Sequence, residues 1–186
     1  MTESKPATGA LRLSMVFREF RKGDEDAVYF LQQKYMPPPA QQEYGSLMIT
    51  VLNKDAGTMV IEVTDENHPE LQRVIGALIV RTTDNPPTMA VDSLVIEPVF
   101  RRRGLGKKLM AWACRAAIIS GHDELLAFLD EGNHMGEAFL KDFGFVPSPS
   151  REKIDDEARP GHQWEKKLEQ KEKHKDSSQE SSNENL

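Results

Sequence analysis

The 186-residue sequence predicts an α/β fold of the α+β type, with a mixed central sheet of about six to seven strands flanked by about four helices. Three observations carry that expectation. Strand-like and helix-period segments follow one another in the order β-α-α-β-β-β-α-β-α-β-β. Two of the β-branched runs, Thr58–Thr64 and Arg73–Thr82, are spaced as a hairpin. At Ala90–Leu109, AVDSLVIEPVFRRRGLGKKL, an apolar strand passes through a glycine turn directly into a helix.

Each element follows from local signals. Residues 1–13 read as a flexible lead, and Ser14–Phe20 (SMVFREF) has strand composition. Asp24 is placed to cap a helix whose first turn holds Glu25 and Asp26. Ala27, Phe30, Leu31 and Lys34/Tyr35 keep the helical period until Pro37-Pro38-Pro39 stops it. A second helix spans Gln41–Asn53, with Tyr44, Leu47, Met48 and Val51 on one face. Asp55-Ala56-Gly57 turns the chain into the hairpin, whose two strands are separated by the polar run DENHPELQ. Asn85-Pro86-Pro87 breaks the pattern, and Thr88–Glu97 forms a fourth strand. The next helix runs from about Gly104 to Ser120, with Leu105, Leu109, Trp112 and Ala116 as its buried stripe and Gly121 as its C′ residue. Glu124–Asp130 is a fifth strand. Asn133 opens a fourth helix that places Met135, Ala138, Phe139 and Phe143 at core spacing. Phe145–Ser148 and His162–Leu168 give a last strand pair, so 14–168 makes one domain. The segment 169–186 has no apolar periodicity and is expected to be a disordered charged tail.

Composition bounds the function. A hydrophobic content of 38% with 29% charged residues fits a soluble chain with a core of ordinary size. The single Cys114 excludes an internal disulfide framework and fits a reducing compartment. The five histidines lack ligand spacing, so no metal is expected. Residues 1–15 hold no apolar signal core, and no run approaches membrane-spanning length. A cytoplasmic or nuclear location is the expectation. A net charge of −6 argues against nucleic acid as the partner of the whole surface. Against it, Arg101, Arg102, Arg103, Lys107 and Lys108 form the one dense basic site.

That site sits on the turn at Gly104 and Gly106, where backbone N–H groups and a helix N-terminus converge. Physically this is a receptor for a pyrophosphate. A dinucleotide fingerprint would need a third glycine where Leu109 stands, and a P-loop would need Ser or Thr where Lys108 stands. An ordinary strand–turn–helix, or a basic surface cluster read by an import receptor, is the alternative. Arg101-x-x-Gly104-x-Gly106 after the strand end Leu94-x-Ile96-x-Pro98 resembles the acetyl-CoA signature of the GNAT superfamily of N-acetyltransferases. The element order is similar to the GNAT fold over roughly residues 14–168, and Arg18 followed by Asp26-Ala27 resembles its opening. Asn133-x-x-Gly136-x-x-Phe139-Leu140-x-x-x-Gly144-Phe145 resembles the family's N-x-x-A-x-x-F-Y-x-x-x-G-F, with Gly in place of Ala and Leu in place of Tyr.

The resemblance implies acetyl-CoA as co-substrate, without a metal, and direct attack by an amine in a ternary complex. It assigns the pyrophosphate to Arg101, Arg102, Arg103, Gly104, Leu105, Gly106 and Lys107. It assigns the pantetheine arm to the backbone of Leu94, Val95 and Ile96, with the Ile96 amide facing the thioester oxygen. Asn133 would touch the cofactor, cap its helix, or do both. Leu140 stands where many relatives carry a tyrosine that protonates the departing thiolate, and leucine cannot do so. Asp92, inside an otherwise apolar strand, is the expected base or acceptor-positioning group, because desolvation makes a carboxylate a better base, and the alternative is a carboxylate paired with Arg or Ser at the strand's mouth. Glu97 and His134 read as solvated residues, and Cys114 as a packed side chain. Acceptor choice in the family comes from two loops, here Tyr35–Tyr44 and Ser148–Gly161 with Asp155, Asp156 and Glu157. The expected activity is N-acetylation of a small amine, a lysine side chain or a protein N-terminus. The alternative is a GNAT-fold acyl-CoA binder with little turnover. Homodimers are common in the family, but no interface signal stands out here.

Overall fold

A computed structural model describes residues 12–38, 41–52, 56–83, 88–148 and 162–169. The lead up to residue 11, the acidic triplet Asp155–Glu157 and the tail beyond Glu169 lie outside the described residues. Seven strands, β1 (Leu13–Glu19), β2 (Ala56–Asp65), β3 (His68–Thr82), β4 (Thr88–Ile96), β5 (Glu124–Leu129), β6 (Val146–Pro147) and β7 (His162–Lys167), form one sheet in the order β1-β2-β3-β4-β5-β7-β6. All neighbours are antiparallel except β4 and β5. The helices α1 (Glu25–Tyr35) and α2 (Tyr44–Leu52) cover one face, and α3 (Leu105–Ile119) and α4 (His134–Asp142) the other.

Alternation along the strands makes the two half-cores. Val60, Ala77, Ile79 and Val95 point to α1 and α2, where Val28, Leu31, Leu47 and Val51 meet them. Met59, Ile61, Leu78, Val80, Met89, Val91 and Ile96 point the other way, onto Leu105, Leu109, Met110, Ala113 and Ala117 of α3. The α3 stripe therefore differs from the one predicted. It runs through Ala113 and Ala117 at four-residue steps, and Trp112 and Ala116 are only half-buried. Trp112 instead lies over Gly57, where an added Cβ would stand 3.0 Å from its ring. In α4 the buried residue is Leu140, while Met135 is 76% exposed and Ala138 also faces solvent. Phe139 and Phe143 pack at the core's margin as expected.

The polar run expected to be a loop, DENHPELQ, is strand instead. β2 continues to Asp65 and β3 starts at His68, joined by two residues, with Asp65 Oδ1 accepting from the Asn67 amide at 2.9 Å. Polar composition here marks a hairpin arm that leaves the helix-covered part of the sheet, not a break in it.

Asp24 opens α1 but does not cap it through its side chain. Its carboxylate takes Arg18 Nη1 at 2.6 Å, Arg18 Nη2 at 2.9 Å and the Arg21 amide at 2.9 Å. The other side of the Arg18 guanidinium meets Glu62 Oε2, with Nε at 3.0 Å and Nη2 at 2.7 Å. Burial disfavours the Asp24 charge, yet Arg18 and the Arg21 amide together hold its carboxyl below the usual range. This clamp ties α1 to β1 and β2. Asp26, by contrast, receives the Tyr44 hydroxyl at 3.2 Å, linking α1 to α2.

Candidate active site

The sheet opens in its middle. β4 and β5 pair only from Thr88–Glu124 to Val91–Ala127, yet β4 continues to Ile96 and β5 to Leu129. Beyond Val91 the strands part. The cause is visible in register: Ile79 pairs with Ser93 and Val80 with Val91, so Asp92 is an extra residue, a bulge that bends β4. On its β3 side β4 stays paired as far as Ile96. Its β5 side from Ser93 onward is an unpaired edge inside the sheet.

Strand alternation tells which groups line that edge. The Glu97 amide donates to Ile75 O at 2.8 Å, so Glu97 points its backbone at β3. Its neighbour Ile96, and Leu94 two residues earlier, then turn their N–H and C=O groups into the gap. The Ile96 carbonyl is met there by Arg101 Nε at 2.7 Å. The side chain of Val95 is buried among the α1–α2 core residues and that of Ile96 among the α3 core residues, while Leu94 packs at the margin of the latter. For these three, what the strand offers is backbone.

At the end of the gap the chain makes a single 3-10 turn, Pro98–Phe100, and then the basic turn. Arg102 (φ 63°) and Gly104 (φ 77°) both adopt the left-handed conformation, costly for arginine and easy for glycine. Gly104 supplies no side-chain cap to α3, so the amides of Leu105, Gly106 and Lys107 have no partner within the helix. A Cβ on Gly104 would meet nothing within 4 Å, which leaves the space above the turn open. One on Gly106 would lie 3.4 Å from the Phe139 ring, ordinary contact, so packing alone does not require glycine there.

The basic side chains are not equivalent. Lys107 Nζ is paired to Asp142 at 2.6 Å, and that pairing draws the Asp142 carboxyl below its ordinary range. Arg103 lies over the Phe100 ring, 5.5 Å from its centroid, and Lys108 over Phe17 at 5.4 Å. Arg102 faces solvent. Leu105 is buried core.

Asp92 stands at the apex of the gap, on the face covered by α1. Its side chain is 1% exposed and forms an ion pair with Arg81 Nε at 2.9 Å. Beside it Ser93 Oγ donates to Met36 Sδ at 3.3 Å. Nothing in sequence spacing announced Arg81, because the pairing depends on the bulge. The same holds for Arg73, which reaches Glu97 from β3.

A family model described as acetyltransferase (GNAT) family matches residues 24–145, well over half of the chain. The chain belongs to this family. Among curated proteins none matches it in sequence. Solved structures do, as folds. A GNAT-family acetyltransferase from Staphylococcus aureus is 12% identical and superposes with a TM-score of 0.65, covering 84% of this chain and all (100%) of its own. NAA60 from Arabidopsis thaliana, solved with a bisubstrate analogue, gives 13% identity and a TM-score of 0.66 over 85% and 100%. N-acetylglutamate synthase from Neisseria gonorrhoeae, complexed with coenzyme A and N-acetyl-glutamate, gives 15% and 0.60 over 84% of this chain and 35% of its own.

In this member of the GNAT family, Asn133 caps α4 by accepting the Gly136 amide at 2.9 Å. Gly136 is crowded: a Cβ there would come within 3.0 Å of the Asn133 side chain and 2.7 Å of Leu129. Glycine in place of the family's alanine thus fits a close-set cap. Leu140 is 3% exposed, an aliphatic side chain packed in the core. Cys114 is half-buried, and burial pushes its thiol up, away from the reactive thiolate. His134 projects into solvent with its side chain 87% exposed. Among the described residues no group of three His, Cys, Asp or Glu side chains is placed to hold a metal. None of their helices is long and apolar enough to cross a membrane.

Proposed function

We propose that this chain is an N-acetyltransferase that binds acetyl-CoA in the gap between β4 and β5 and passes its acetyl group directly to a primary amine. The observation that carries this reading is the unpaired inner edge of β4 leading to an uncapped helix N-terminus. The edge presents amides where an extended amide-bearing arm can add itself as a strand, and the turn presents amides and cations where that arm ends in phosphate. Backbone of Leu94 and Ile96, with Val95 between them, would hold the arm. The turn 101–107 would hold the pyrophosphate, and Asn133 would border the site from α4.

When bound, acetyl-CoA supplies an activated thioester. The chain's part is to orient it, to stabilise charge on its carbonyl oxygen, and to present a neutral amine. The Ile96 amide, directed into the gap, is the donor for that oxygen. Asp92 is the acceptor-side carboxylate. Arg81 holds it in place through their ion pair at 2.9 Å, and a carboxylate there can take a proton from an ammonium ion directly or through water. Leu140 offers no proton to the leaving sulfur. A simple thiol has a pKa near 8.5, so water suffices at a slower rate.

Calorimetric titration of acetyl-CoA, followed by thiol release with a panel of small amines, lysine peptides and peptides with free N-termini, tests the reading. Micromolar binding with thiol release on one acceptor class is the expected result. No binding at millimolar acetyl-CoA overturns it. In an active enzyme, Asp92→Asn should lower kcat/KM by about 10²-fold or more, measured with the acceptor that gives thiol release. Buried Leu140 favours a second reading, an acyl-CoA binder with little turnover. Tight binding with no thiol release on any acceptor would establish that one.

A further inference from the structure

The basic turn is preceded by a carboxylate. From Leu94 to His122 the only acidic residue is Glu97, and it immediately precedes the 3-10 turn that leads into Arg101. A negative charge at that place repels phosphate, unlike the surrounding cations. It is also held where it is, with its side chain only 17% exposed.

Arg73 answers it from another element. This residue lies on β3, opposite Val63 of β2, and its Nη1 makes an ion pair with Glu97 Oε2. Its guanidinium also lies over Phe100, 5.6 Å from the ring centroid, and Arg103 occupies a like position on the same ring at 5.5 Å. Phe100 is buried, so the platform is fixed. Arg73 itself is 53% exposed, open to the solvent from which a phosphate would come. Arg101, by comparison, is turned to the Ile96 carbonyl and Lys107 to Asp142.

We infer that Arg73 is a positioning residue of the phosphate site: it cancels the Glu97 charge and, stacked with Arg103 on Phe100, keeps the potential of the turn positive. The inference rests on acetyl-CoA being the ligand of this turn. Coulomb attraction to a polyanion near the surface falls with distance and with salt, so the effect belongs to affinity at low ionic strength.

The test is calorimetric binding of acetyl-CoA to the full chain and to Arg73→Met, Glu97→Gln and the double variant. Arg73→Met should weaken binding roughly fivefold at low salt, a loss that fades toward 1 M salt, where the Debye length is about 3 Å. Glu97→Gln alone should bind at least as tightly as the wild type, and in the Arg73→Met background it should restore affinity to within about twofold. Unchanged binding by Arg73→Met, a loss that Glu97→Gln does not restore, or weaker binding by Glu97→Gln alone would each overturn the inference. Should Arg73→Met fail to fold, Glu97→Gln alone still decides. A wild type that does not bind acetyl-CoA brings down the acetyltransferase reading itself. A wild type that binds beside an unaffected Arg73→Met brings down only this inference.

Discussion

At the start of α1, Arg18 lies between Asp24 and Glu62, and Arg21 closes on Glu62 from outside at 3.1 Å. At the end of β4, Arg101, Arg102, Arg103, Lys107 and Lys108 gather on one turn with Glu97 and Asp142 at its border. Both places are built from arginine and carboxylate, and they are put to different uses. In the first, two cations meet two anions, the Arg18 and Asp24 side chains are only 16% and 8% exposed, and every charge is answered inside the molecule. In the second, cations outnumber anions, the basic side chains are exposed, and the first amides of α3 have no partner within the helix. A closed ledger of charge makes a joint between elements. An open one leaves cations and amides facing solvent.

Breaking the joint should have the largest effect. Arg18→Met leaves Asp24 with only the Arg21 amide and Glu62 with only the exposed Arg21 and Gln72, a loss of charge pairing that costs about 3 kcal/mol. Urea unfolding should show that loss, while acetyl-CoA affinity of the folded variant stays as in the wild type. Gly104→Glu attacks the open turn instead. It places a negative side chain and an unfavourable left-handed backbone at the amide cradle, and acetyl-CoA affinity should fall by about 10²-fold, or roughly 2.7 kcal/mol. Gly106→Ala is the sharper probe, because its methyl makes only ordinary contact with Phe139. Alanine in a helix is favoured over glycine by about 0.5–1 kcal/mol, so the melting temperature should hold or rise. Binding should nevertheless weaken about tenfold if the phosphate lies against that backbone. A variant that is more stable and binds as before would mean the glycine serves only the turn.

The smallest effect is in acid. Folding lowers the Asp24 pKa, so as the pH falls the unfolded chain takes up this proton first. The stabilisation is complete above the unfolded value near 3.9 and disappears as the pH drops through the lower, folded value. Asp24→Asn should therefore flatten the acid limb of a stability–pH curve in that window and leave its neutral part parallel to the wild type. An unchanged acid limb would show that Asp24 is not the group the clamp protects.

Much of this contrast could be read before any coordinates. The basic turn is local, so RRRGLGKK and the strand before it announce both the turn and its cluster of basic side chains. The strand and helix order was legible for the same reason, since apolar period is a property of adjacent residues. What escaped were pairings between strands. Arg18 with Glu62, Arg73 with Glu97 and Arg81 with Asp92 lie 44, 24 and 11 residues apart. Their meeting depends on register, which is regular between β1 and β2 and is shifted by a bulge between β3 and β4. Asp92 stands out in the sequence as a lone carboxylate in an apolar strand, and only the fold supplies its arginine. The α3 stripe failed for a different reason: Ala113, Ala116 and Ala117 are too alike for hydrophobicity to say which of them faces the sheet.

The parting of β4 from β5 has one more consequence. Strand edges normally lie at the rim of a sheet, where they invite pairing with other chains and have to be shielded by charge, shortness or twist. Here an edge is kept in the interior of the sheet, between strands that pair on its other side and under helix layers on both faces, away from the rim where another protein's sheet would meet it. The molecule thus holds a reactive stretch of backbone without the hazard of aggregation that such a stretch carries elsewhere.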